Sequence, residues 1–172
     1  MRSDKKTMFD APKEILDASD KNFLSAIEEF GWTTSWIYPE EDKPGYSFST
    51  GFDYSLGEPE VVIFALPNEF MNMINWSIWK RLQEGSSIPV GQRVPEIIGN
   101  DLDVVFLPMA PEFYEEYLGM SRWFYLSDSF QVLVMYWPDK RGVFPWEPGF
   151  DPKFSGLQPD LSPDGWKAQT DL

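Results

Sequence analysis

Carboxylates carry most of the side-chain chemistry open to this chain. Its 172 residues include no histidine and no cysteine. That removes the commonest general base, the thiolate nucleophile and the preferred zinc ligands. A serine nucleophile has no histidine to activate it, and neither G-x-G-x-x-G nor a P-loop occurs. Glu60 follows Pro59 and opens the apolar run Val61–Leu66. At a sheet end it can serve either as a structural acceptor or as a site residue. Asp101 and Asp103 stand two apart on an expected strand and so share a face. Such a pair can hold a hard cation or shift its own pKa values, or it can be a solvated strand face. Glu40-Glu41-Asp42 reads as a solvated turn and Glu115-Glu116 as a helix surface. No catalytic residue, metal site or cofactor is assigned.

Two further stretches are candidate binding elements. Thr50-Gly51 at a strand end lets a ligand or another backbone approach closely, or else marks a turn. Trp137-Pro138-Asp139 and Pro145-Trp146-Glu147-Pro148-Gly149 concentrate rings, prolines and acids. They form either a rigid cap on the core or a ligand-facing rim, with Asp139, Trp146 and Glu147 as its binding residues.

The elements that must hold these residues follow from periodicity. A polar arm over residues 1–13 precedes a helix with Ser19 as N-cap, an apolar stripe of Phe23, Leu24, Ile27 and Phe30, and Gly31 at its end. Trp32 to Phe52 reads as a β-hairpin with rings alternating on both arms, expected to face inward together. Gly51 to Pro59 reads as a loop. Val61–Leu66 and Phe130–Trp137 are apolar on both faces, as interior strands are. A helix runs from Pro67 to about Gly85. A weak strand over Val94–Gly99 and a better one over Asp101–Leu107 come next. A helix then starts at Pro111, and an irregular tail over 153–172 closes the chain. The order predicts a single α+β domain spanning 1–172, with a largely antiparallel, barrel-like or open, sheet flanked by helices.

Composition bounds the partners. The net charge is −14, which disfavours nucleic acid and anionic membranes and favours a protein with a basic surface. The longest apolar runs are too short to cross a bilayer. No apolar stretch follows the first residues, so a cytoplasmic location is expected.

Gly31-Trp32, Tyr46–Phe52 with its Thr50-Gly51, Pro59-Glu60, Trp137-Pro138-Asp139 and Pro145–Pro152 resemble, in order and spacing, the bacterial family called domain of unknown function 4262. The resemblance implies an intracellular protein without an established activity. The family pattern often has a histidine before Pro-Glu, where this chain has Glu58, and a glutamine in the late strand, where it has Val134. These departures lower the expectation of catalysis. The first functional expectation is a non-catalytic interaction protein of immunity or antidefence type. The alternative is a small-molecule or flavin-binding enzyme of split-barrel type, by fold analogy alone. The oligomeric state is not legible.

Overall fold

A computed structural model describes residues 4–169. Residues 1–3 of the expected arm and 170–172 of the expected tail lie outside the described residues. Helix α1 (Ala18–Phe30) is capped by Asp17, not Ser19. The Asp17 carboxylate accepts from the Asp20 N–H at 2.8 Å and the Asp20 side chain bonds back, a reciprocal cap one turn ahead of the apolar stripe. Strands β1 (Thr33–Ile37) and β2 (Tyr46–Thr50) form the hairpin. A short helix α2 (Phe52–Leu56) follows where a loop was expected, then β3 (Glu60–Phe64) and the long helix α3 (Asn68–Gln83). β4 (Arg93–Val94), β5 (Val104–Pro108), α4 (Tyr114–Tyr117), α5 (Gly119–Tyr125), β6 (Val132–Tyr136) and a last turn α6 (Trp166–Gln169) complete the order.

The six strands form one open sheet in the order β1-β2-β3-β6-β5-β4. Every neighbouring pair is antiparallel except β3 and β6, which run parallel. The sheet does not close into a barrel, so β1 and β4 are edges. Alternate residues of β3, β5 and β6 feed two cores. Val61, Ile63, Phe106 and Met135 pack beneath α3. Phe48, Val62, Leu107, Val134 and Tyr136 pack beneath α1, α4 and α5. This two-sided burial explains why the central strands have no polar face.

The hairpin departs from the expectation that its rings share one inward face. Trp36 pairs with Ser47, and Ser35 pairs with Phe48. The large residues of the two arms therefore lie on opposite faces of the sheet. Phe48 is 1% exposed, whereas Trp36 is 43% and Tyr38 72% exposed. Alternation along each arm was read correctly, but register decides which faces coincide. Asp101 and Asp103 also shift: both precede β5, and Asp101 sits in a turn at φ 55°.

Candidate functional site

The sequence candidates separate to the two ends of the sheet. At one end, β2 and β3 diverge beyond the Phe48–Val62 pair, and the Ser49 hydroxyl fills the gap by accepting the Val61 N–H at 2.9 Å. The same hydroxyl donates to Oε2 of Glu60 at 2.5 Å. Oε1 accepts from Gly51 N–H at 2.9 Å, from Asp53 N–H at 3.2 Å and from the Tyr125 hydroxyl. Glu60 is fully buried. Its carboxylate thus caps the first turn of α2 from the start of the neighbouring strand β3, a role normally filled by a local side chain. Burial pushes the Glu60 carboxyl above its ordinary value, against the opposing pull of these four donors. Burial, with the Glu60 charge beside it, likewise raises the Tyr125 hydroxyl. Thr50 Oγ1 and Ser121 Oγ lie 2.7 Å apart, which ties β2 to α5.

Gly51 has φ +119°, and a Cβ there would lie 2.6 Å from Gly31 O and 2.7 Å from the Trp32 Cα. The close approach allowed by Thr50-Gly51 is therefore made by the chain's own backbone. Gly31 is equally constrained, since a Cβ there would lie 2.7 Å from the Trp79 ring. Trp32 lies against Phe52 and Trp79, with centroid distances of 5.3 and 6.2 Å.

At the opposite end, Asp139 organises the loop after β6. It accepts the N–H groups of Arg141, Val143 and Asp151 at 2.8, 3.1 and 3.0 Å and pairs with the Arg141 guanidinium at 3.2 Å. Burial alone would raise the Asp139 carboxyl. The backbone N–H groups and Arg141 outweigh that effect and hold it below the usual aspartate range. Glu147 pairs with Arg93 at 2.7 Å and accepts the Phe144 N–H at 2.8 Å. Trp146 is half-buried. It stacks on Phe144 at 4.9 Å and meets Tyr136 edge-on at 5.7 Å.

A cleft of about 360 Å³ opens at this second end, beside the carboxyl end of β3. Tyr46, Phe64 and Tyr117 form an aromatic wall, with ring centroids 5.0 to 5.7 Å apart. The Tyr46 hydroxyl donates to Tyr117 O at 3.0 Å, which fixes the wall. Glu40, Asp42 and Glu116 line the cleft with Tyr38 and Lys43. Lys43 reaches Glu116 at 3.7 Å, and both side chains are more than half exposed. Burial first, then the neighbouring Tyr117 and the Glu116 charge, push the Tyr46 hydroxyl up to about 12. Of the three rings Phe64 and Tyr46 are buried, at 1% and 8% exposure, and Tyr117 is half-buried. An accessible ring edge or face beside carboxylates suits a cation, which the ring attracts and the acids neutralise. None of Thr50, Gly51, Glu60, Asp139, Trp146 and Glu147 lines this cleft. The missed signal was the acidic turn Glu40-Glu41-Asp42 placed between two tyrosines, Tyr38 and Tyr46.

A family profile, domain of unknown function 4262, matches residues 26–151. The chain belongs to that family. Comparison with curated proteins and with solved structures gave no match. In this DUF4262 domain, several stretches within the matched residues have visible work in the fold. Gly31-Trp32 and Thr50-Gly51 lock together, Glu60 caps α2, and Asp139 folds the loop leading into Pro145–Pro152. Trp137 joins them by donating its indole N–H to Phe64 O at 2.9 Å. Among the described residues no group of three or more acids gathers as a metal site, and no helix is long and apolar enough to cross a membrane.

Proposed function

We propose that this domain is a non-catalytic interaction protein of the cytoplasm that binds a basic segment of another protein. An immunity or antidefence protein that neutralises a basic target fits that description. The observation that carries the reading is the aromatic cleft with Glu40, Asp42 and Glu116 on its lining. An Arg or Lys side chain of the partner would enter it and lie against Tyr46 and Tyr117. The Lys43–Glu116 pair already holds one cation at the mouth, and an exposed pair of this kind is worth only about 0–1 kcal/mol. A partner's cation can therefore displace it. The net charge of −14 supports the reading by steering a basic partner toward the domain. Glu60, the buried carboxylate with the most unusual environment, is spent on four internal donors. It supplies no argument for acid–base chemistry.

The test is calorimetric titration with a lysine-rich peptide. Asp42→Asn combined with Glu116→Gln should weaken binding by about threefold to tenfold, and rising salt should weaken it further. Lys43→Ala should strengthen it slightly by clearing the mouth. Equal affinity for the wild type and the double variant at low salt would sink the reading.

A further inference from the structure

We infer that the partner's basic segment binds as an added strand on the free edge of β1. This inference rests on the function proposed above and specifies how the partner is held. Among the described residues β1 pairs only with β2, and it is the first strand of the sheet. Its sequence, Thr-Thr-Ser-Trp-Ile, has no charge and no proline, and its register with β2 runs without a bulge. Charge, proline and a bulge, three of the devices that blunt a sheet edge, are thus absent from β1.

The ladder fixes which groups face outward. On β3, Ala65 N–H donates to Gly45 O and Val61 N–H to Ser49 Oγ, whereas Glu60 N–H turns the other way to Gln131 O. Val61, Ile63 and Ala65 therefore direct their backbone to β2, and Ser47, opposite Ile63, directs its own to β3. Alternation leaves Tyr46 and Phe48 bonded to β1, through Ile37 and Ser35. The Thr34 hydroxyl, 3.4 Å from Phe48 O, agrees with that orientation. The peptide groups of Thr34 and Trp36 consequently point away from the sheet; Thr34 is half-buried, and Trp36 is exposed together with Ile37 and Tyr38.

Charge decides the occupant. A second copy paired antiparallel through β1 would turn each acidic hairpin tip, Glu40-Glu41-Asp42, toward Glu28 and Glu29 of the other. Each copy also carries −14. A basic segment meets attraction at both places. Ile37 lines the cleft. A residue on the added strand lies one strand spacing from it, about 4.8 Å. A lysine or arginine there can cross Ile37 toward Tyr117 and Glu116. Strand addition supplies main-chain affinity, and the cleft supplies selection for the cation.

The probe is a capped heptapeptide of alternating lysine and valine, used beside a version N-methylated at alternate amides. Thr34→Pro removes one outward N–H and spares the ladder to β2. It should weaken binding about tenfold, and Thr34→Val should bind as wild type. The N-methylated peptide should bind wild-type protein about tenfold more weakly, a readout that needs no variant to fold. Thr34 and Trp36 amide protons should become slow to exchange in the complex. Full-strength binding of the N-methylated peptide with those two amides unprotected overturns strand addition. A β1-mediated dimer in sedimentation overturns the choice of occupant. If strand addition fails while Asp42→Asn with Glu116→Gln still weakens binding, the cleft takes its cation from an unpaired segment. If neither change matters, the proposed function falls as well.

Discussion

Replacing Glu60 by alanine should be among the costliest single substitutions in this domain, and replacing it by glutamine among the cheaper changes at a buried charge. Alanine leaves four donors facing a dry gap: Ser49 Oγ–H, Gly51 N–H, Asp53 N–H and Tyr125 O–H. Gly51 N–H keeps the Tyr125 oxygen at 3.1 Å, and Tyr54 N–H also bonds that oxygen at 3.3 Å. Asp53 N–H has no such second acceptor among the described contacts. The two hydroxyls can turn but find no water, because the site has no exposure. One backbone orphan and two frustrated hydroxyls, at about 1–3 kcal/mol for each truly unsatisfied group, sum to about 3–9 kcal/mol, and the freedom of the hydroxyls to turn puts the expected loss in the lower half, about 3–5 kcal/mol. Set against a whole-domain stability of about 5–15 kcal/mol, that is severe. Glutamine keeps three donors on Oε1 and can direct its amide to Ser49 Oγ, so about 1 kcal/mol is expected. Urea unfolding followed by tryptophan fluorescence measures both. Glu60→Ala within 1 kcal/mol of wild type would refute the capping role.

The two ends of the sheet should respond to pH with opposite sign. The Glu60 carboxyl is raised above its ordinary 4.5. Its contribution is full below that value and is lost as pH rises through the folded-state value, so Glu60→Gln should flatten this part of the stability profile. The Asp139 carboxyl is held below its ordinary 3.8. Its contribution is full above that value and is lost as pH falls, so Asp139→Asn should lower the melting temperature at neutral pH and reduce acid sensitivity; an unchanged melting temperature at pH 7 would refute this. Trp36→Ala should change stability by less than about 1 kcal/mol, because its ring stands at the sheet edge. Phe48→Ala, one strand inward, should cost about 3–5 kcal/mol. Equal losses for that pair would show that β1 is covered.

Some of this organisation was legible in residue order. Val61–Leu66 and Phe130–Trp137 announced interior strands because neither carries a polar face. Glu60 at the mouth of one of them stood out as either a structural acceptor or a site residue, and residue order did not choose between them. Thr50-Gly51 allowed either a close approach or a turn, and its partner could not be read, since Gly31 and Trp32 lie on another element. Strand order was hidden, and with it the edge position of β1. Periodicity assigns a residue to one side of its strand, but only pairing register assigns that side to a core. This is why Trp36 and Phe48, alike in pattern, differ in burial. The cleft was hidden for a similar reason. Its lining comes from β1, the hairpin tip, β2, β3, α4 and the tail, and residues such as Tyr38 and Glu116 come to one cleft only through the fold. The acids of the turn read as solvent-facing, and they are; what the sequence did not reveal is the aromatic wall beside them.

The most direct measurement is an assigned NMR titration of the domain with the lysine–valine peptide at low salt. The lysine ε-methylene signals should move upfield under the ring currents of Tyr46 and Tyr117, with saturable shifts at Tyr38, Tyr46 and Tyr117 that Asp42→Asn with Glu116→Gln diminishes. Saturable shifts clustered elsewhere, or no saturable shift at these tyrosines, would contradict a cation-binding cleft.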